Sequence, residues 1–417
     1  MGQKLFTKNF VLLVMGQVSS LFGNYILRLA LSMYVLEATG SAAVFAGILT
    51  AATIPTILLS PLGGILADRA NRRNIMVALD ALTGIAVLCA AVCLSGSNAL
   101  TVISILLVVL SVFGAFETPT VQACIPQMLT GDNIIRGNAV VNQVASVSYL
   151  TAPMAGGILY AAFGLKPVMY ASVLCFFITA LFERLIRLGE QTRGYGGDIL
   201  SIVKNDFADS IRFITKERTD IMKLLLLAAL SRFFVMGVTL VGLPYIVRTI
   251  LGLDAQYYGG AESMLAISTI VGSIAAGLLT GKLKYRRLSL TIALIGICML
   301  PGGAVFLVPT GAVVKYAVQV AAFCGMQIAI SIFSIFAVSL IQQRTPNHLI
   351  GKVMAYTSTI TLCVQPIGQM VYGFLFDSFS DAIYLCFIPT GIIVCAVGLS
   401  AMGFFKNMEK EQQEVSA

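Results

Sequence analysis

Of 417 residues, 58% are hydrophobic and only 11% are charged, against about 45–50% and about 25% in soluble domains. That composition excludes a water-soluble fold and predicts a polytopic membrane protein. The apolar runs are continuous rather than alternating, which excludes a β-barrel and leaves an all-α membrane protein. The formal charge of +8 does not indicate nucleic-acid binding, because the basic residues fall in short loops between apolar runs.

The spacing predicts twelve transmembrane helices. A short basic flank, MGQKLFTKNF, precedes the first apolar run. That run is too long for a signal-peptide core and no A-x-A site follows, so it reads as a retained first span. Spans 1 to 6 are expected near 10–36, 42–67, 74–95, 99–123, 138–163 and 166–188. Spans 7 to 12 are expected near 220–248, 257–281, 287–308, 313–341, 351–377 and 382–405. The division is therefore an N-terminal six-helix bundle over 1–188, a linker over 189–219, a C-terminal six-helix bundle over 220–405 and a tail over 406–417. The linker carries a Gly194-Tyr195-Gly196-Gly197 breaker and an amphipathic run over 198–216 that reads as a membrane-surface helix.

Orientation follows from the basic residues. With both termini on one side, that side receives 22 of the 27 Lys and Arg. The other side receives Lys166, Arg248 and Lys315, and Arg28 and Arg232 fall inside spans. Positive-inside bias then places both termini in the cytoplasm. Trp is absent, so Tyr34, Tyr257, Tyr258, Tyr316 and Tyr384 are left to form the outer interfacial belt. The nine cysteines lie in apolar runs without CxxC or zinc spacing, so they read as packing residues, with no metal expected. No Walker loop or hydrolase motif appears, and neither an enzyme nor a cofactor is expected. His348, the sole histidine, reads as a solvated loop residue before span 11.

The halves repeat with an offset of 213 residues: Gly64 falls on Gly277, Arg69 on Lys282, Arg73 on Arg286 and Pro153 on Pro366. Two parallel six-helix halves are a transporter architecture. A charge near the bilayer centre costs about 2.5–3.5 kcal/mol on insertion scales, so intramembrane charges are functional candidates. They are Arg28 in span 1, Asp80 in span 3, Glu117 in span 4, Arg232 in span 7 and Glu262 in span 8. Asn24 lies one turn from Arg28 on the same face, with Gln17 two turns further.

The decapeptide GILADRANRR, Gly64 to Arg73, resembles the loop 2–3 signature of the major facilitator superfamily (G-x-x-x-D-R/K-x-G-R-R/K), with Asn71 in place of the second glycine. Asn tolerates the left-handed backbone better than other non-glycine residues, so the turn is expected to persist. Ala152-Pro153-Met154-Ala155-Gly156-Gly157 resembles the antiporter signature G-P-x-x-G-G, with Ala152 replacing its first glycine. The segments Gly16-Gln17, Phe22-Gly23-Asn24, Thr39-Gly40-Ser41-Ala42 and Pro119 to Pro126 resemble the macrolide-efflux-type branch.

The resemblance implies a major facilitator fold and a cytoplasmic latch. In it Gly64 permits close helix approach, Asp68 meets the N-terminus of span 11, and Arg69, Arg72 and Arg73 add ion pairs. Pro153, Gly156 and Gly157 would shape a bend in span 5. Spans 1, 4, 7 and 10 line the central cavity in the superfamily, so Arg28, Glu117, Arg232 and Gln327 become cavity candidates, with Gln17, Asn24 and Gln365. A carboxylate in a partly wet apolar cavity exchanges protons near neutrality. Glu117 is therefore the first proton-coupling candidate. Asp80 is the second, in a place that suits an ion pair. Other polar groups look sparse (Asn142, Gln143, Gln319, Gln369) beside Phe233, Phe323, Met326 and Phe333, which favours an amphipathic substrate over a sugar.

The expected function is proton-coupled export of an amphipathic drug-like or siderophore-like compound by alternating access. The setting is a bacterial cytoplasmic membrane, with small substrate, protons and lipids as partners and a monomer as the family-based state. One alternative is an importer or exchanger of an anionic metabolite, or a lysophospholipid flippase, in which Arg28 and Arg232 hold an anionic group. Another is a non-transporting receptor or scaffold.

Overall fold

The computed structural model describes residues 5–188, 219–280, 287–346 and 349–416, with backbone alone at 68, 351, 352, 355 and 410–416. The amphipathic run 198–216, His348 and the Asp68 side chain lie outside the described residues. Helices α1 to α6 are Lys8–Thr39, Ala42–Arg69, Arg72–Cys93, Ala99–Met128, Asp132–Phe163 and Leu165–Arg184. Helices α7 to α12 are Thr219–Ile250, Ala255–Leu279, Leu288–Leu307, Ala312–Arg344, Ile350–Ser378 and Tyr384–Ser416. Among the described residues, twelve helices are long and apolar enough to cross a membrane, and there is no strand. Helices satisfy every interior backbone group within one segment, which is why apolar runs of this length adopt them in a bilayer.

The outer surface is apolar, with Leu58, Val92, Leu174 and Leu278 exposed. Water would not tolerate such continuous patches, whereas lipid requires them. α12 continues as helix from the last span into the stretch expected as a tail, to Ser416. The Lys, Glu and Gln residues there are good helix formers and extend a helix already nucleated.

The chain divides into two compact units. One comprises Met1–Gly40, Gly47–Tyr195 and Val247–Ala266; the other comprises Ser41–Ala46, Gly196–Ile246 and Ile267–Ala417. In the first, hydroxyls stitch α1 to α6. Ser19 donates to Cys175 O at 2.8 Å, Ser172 to Gly23 O at 3.0 Å and Thr179 to Gly16 O at 3.1 Å. Small residues admit these backbones to each other, as association within lipid demands. In the second, Gly296 and Gly391 face each other between α9 and α12, and Gly237 and Gly368 lie between α7 and α11. Pro244, which has no N–H to give, sits between two π-helical turns of α7, Val238–Gly242 and Ile246–Ile250.

Candidate functional site

Gln17, Ser20, Asn24 and Arg28 recur at helical spacing along one face of α1. They line a cavity of about 540 Å³ in the first unit, shared with Thr56 of α2, Ser111 and Glu117 of α4, and Asn138 and Asn142 of α5. Arg28 Nε donates to Asn24 Oδ1 at 2.6 Å, which fixes the guanidinium. No ion pair joins Arg28 to Glu117 among the described residues. The cavity is richer in polar groups than the sequence suggested. Its donors and acceptors include Ser20, Thr56, Ser111 and Asn138, short side chains lost to view in apolar runs. Leu21, Val121, Ile125 and Val141 give it an apolar part. Tyr25, which also lines the cavity, packs edge-on against Tyr149 at 5.5 Å.

Asp80 makes no ion pair among the described residues, contrary to the expectation for it. The Ser20 hydroxyl stands 3.0 Å from Asp80 Oδ1 and 3.3 Å from Glu117 Oε1. Glu183, at the end of α6, brings a third carboxyl within hydrogen-bonding reach of Asp80. Glu183 escaped the sequence reading because a charge at the end of a span looks like an interfacial residue. The structure instead buries it, at 0% exposure, beside Asp80 at 1%.

The α2–α3 turn departs from expectation in two ways. Asn71 is not left-handed: at φ −67°, ψ 108° it is the N-cap of α3, its side chain accepting from Asn74 N at 3.3 Å. The close helix approach falls on Gly63, whose added Cβ would lie 3.0 Å from Phe116 Cα and 3.1 Å from Pro119 Cγ of α4. Gly64, like Gly277 in α8, has nothing within 4 Å of that position. Which of two adjacent glycines meets a neighbouring helix depends on the face that α2 presents to α4, which is set by tertiary packing. Arg72 donates Nε to Ala67 O at 2.7 Å and Nη1 to Ala123 O at 2.8 Å. Arg73 is half-buried and Arg69 exposed.

In α5, Ala152, Pro153, Gly156 and Gly157 are buried. An added Cβ at Gly156 would meet Ile26 Cα of α1 at 3.1 Å, and one at Gly157 would meet Gln256 Cα of α8 at 3.0 Å. The motif therefore packs α5 tightly on both helices.

The remaining candidates lie in the second unit. Gln327 Nε2 donates to Thr269 Oγ1 at 2.9 Å. Arg232 is half-buried with its Nε lacking a partner among the described residues, and Gln365 is half-buried. Phe323, Met326 and Phe333 are fully buried core residues, so they do not line an open cavity. Two polar clusters were missed. Arg248 pairs with Glu37 at 3.0 Å, and Tyr160 donates to Glu37 at 2.8 Å. Asp377 accepts from Ser41 Oγ, Ala42 N and Ala43 N at the start of α2, a carboxylate on a helix N-terminus. The acid at 377 and its helix start at 41 are too distant in sequence to be paired by spacing.

The model of the Major Facilitator Superfamily matches residues 13–368. The macrolide efflux protein A of Streptococcus pyogenes is 23% identical over 406 residues, covering 92% of this chain and 93% of that protein. The multidrug efflux pump Tap of Mycobacterium tuberculosis (strain ATCC 25618 / H37Rv) is 21% identical over 405 residues, covering 94% and 92%. The crystal structure of a bacterial homologue of the iron transporter ferroportin shares the fold at a TM-score of 0.72 and 15% identity, over 94% of this chain and 98% of that one. With twelve membrane-length apolar helices and a family match across most of its length, the chain belongs to the Major Facilitator Superfamily and is a multi-pass membrane transporter.

Proposed function

We propose that this transporter exports an amphipathic small molecule in exchange for protons by alternating access, with both termini on the cytoplasmic side of a bacterial membrane. The observation that carries the reading is a carboxylate, Glu117, opening on a membrane-embedded cavity that also holds Arg28, Asn24, Gln17 and apolar walls. A cavity with both polar and apolar walls suits a substrate of mixed character. The relatives named for macrolide and multidrug efflux support the direction and the substrate class. Glu117 would take a proton when the cavity faces outward and release it when the cavity faces inward. In this reading Asp68, Arg69, Arg72 and Arg73 latch the cytoplasmic side during the outward-facing phase, and the open face of Gly64 is where a neighbouring helix closes.

The test is Glu117→Gln in proteoliposomes under an imposed pH gradient, with a radiolabelled macrolide as probe. Gradient-driven movement is expected to disappear while downhill exchange continues. Retention of full gradient-driven transport with an unchanged pH profile would overturn the assignment.

A second reading has a specific observation in its favour. Arg28 is held by Asn24 and pairs with no acid among the described residues, so its guanidinium suits an anionic group on a metabolite or lysophospholipid. Binding lost in Arg28→Ala, with no proton flux in either protein, would favour that reading over export.

A further inference from the structure

Three carboxyl groups on three helices meet around one hydroxyl of α1. Ser20 lies 3.0 Å from Asp80 and 3.3 Å from Glu117, and Glu183 faces Asp80. The hydrogen inventory does not close if all three are ionised. A serine hydroxyl has one hydrogen and a carboxylate has none, so Ser20 satisfies one acid and turns a lone pair to the other. Asp80 Oδ2 and both Glu183 oxygens are buried without a donor among the described residues. Facing carboxylates of like charge out of water repel each other, so a hydrogen between them is strongly favoured.

Of the three acids, Glu117 lines the cavity, whereas Asp80 and Glu183 are buried away from it. Met76 lies one turn from Asp80, Val121 one turn from Glu117, and Ile186 one turn from Glu183; all three belong to one buried apolar cluster with Phe10, Leu13 and Ile125. Val121 and Ile125 of that cluster also form part of the cavity wall. Glu117 and Ser20 line the same cavity. Gln17, one turn before Ser20 on the same face, lines the same cavity at 6% exposure with its Nε2 unpartnered among the described residues. Other ionisable groups nearby are Arg28 of α1, close to Glu117, and Cys124 of α4 with Arg72.

We propose that Asp80, Glu117 and Glu183, joined through Ser20, form one proton-binding unit whose opening to the cavity is Glu117. This rests on the proton-coupled reading of Glu117 and deepens it. A proton from cavity water adds to the Glu117 carboxylate. Glu117 then donates its hydrogen to Ser20 Oγ as the Ser20 hydroxyl hands its own to Asp80, where it is held against Glu183. One proton moves, Ser20 is neutral before and after, and the reverse sequence returns the proton to the cavity. Asp80 and Glu183 store the proton; Ser20 is a positioning and relay residue.

The test uses the full-length protein in lipid nanodiscs and infrared difference spectra between alkaline and neutral pH, reading the protonated-carboxyl C=O band and its shift in deuterated water. The wild type is expected to show the band at neutral pH. Asp80→Asn and Glu183→Gln, each nearly isosteric, are expected to lose it independently, so misfolding of one leaves the other as the test. Ser20→Ala is expected to keep the band but slow its deuterium shift, whereas Ser20→Thr restores the wild-type rate. An absent band in the wild type, or a band unchanged in both acid variants, would overturn the proposal. If the band behaves as expected but Glu117→Gln still moves the macrolide probe with the pH gradient, the coupling reading fails while the proton-binding unit stands.

Discussion

Arg72 separates two meanings of a basic residue in the α2–α3 turn. If only its charge mattered, as a topology signal, lysine would serve equally. The structure gives it a second task. Its guanidinium reaches Ala67 O at 2.7 Å and Ala123 O at 2.8 Å, tying the end of α2 to the end of α4. An ammonium on a flexible stem cannot reproduce that fork. Hydrogen bonds from charged donors contribute about 1.5–3 kcal/mol each when sheltered. The side chain is only half-buried, so water recovers part of the loss and about 2 kcal/mol for both bonds is a fair figure. That is roughly a 30-fold change in the folding equilibrium. Arg72→Lys should therefore lower the thermal midpoint of the purified protein by a few degrees, with membrane insertion and yield unchanged. Arg69→Lys, at an exposed position, is the control and should leave the midpoint where it was. Equal midpoints for Arg72→Lys and the wild type would refute the tie and return Arg72 to a topology signal.

Gly63→Val drives a side chain into Phe116 and Pro119 of α4 and should cost about 1–3 kcal/mol or more, read as loss of monodisperse protein and a lowered midpoint. Gly64→Val meets open space and should leave the midpoint unchanged, yet slow macrolide transport in vesicles if that face receives a helix during the cycle. Asn71→Ala removes the N-cap of α3 and should cost about 1 kcal/mol by chemical denaturation, whereas Asn71→Gly should cost only a few tenths. A clear stabilisation by glycine there would instead mean that the turn wants a left-handed residue.

The spans were legible because a bilayer imposes one rule on backbone groups, and length plus apolarity is enough to state it. The Arg28–Asn24 pair was legible too, since four residues apart on a helix is a contact that sequence spacing encodes. The carboxyl cluster was not. Its members come from four helices, and which faces of α1, α3 and α6 meet is decided by packing at Gly16, Gly23 and Gly84. Ser20 carries no sequence signal, being one small polar residue in an apolar run. Gly63 and Gly64 are neighbours in sequence but point about 100° apart around the helix, so Gly63 takes the contact with α4 while the motif's Gly64 faces open space. Asp377 at the start of α2 followed the expected chemistry, an acid on a helix N-terminus, in a place that spacing could not reveal.

In the proposed function, Glu117 couples protons to substrate. The direct measurement is simultaneous, in one set of proteoliposomes: macrolide movement by radiolabel and opposing proton movement by an internal pH indicator. The wild type should show both fluxes, each dependent on the other. Glu117→Gln should keep downhill macrolide exchange and lose the linked proton flux. Proton movement that persists in Glu117→Gln, at the wild-type ratio to macrolide, would contradict the account.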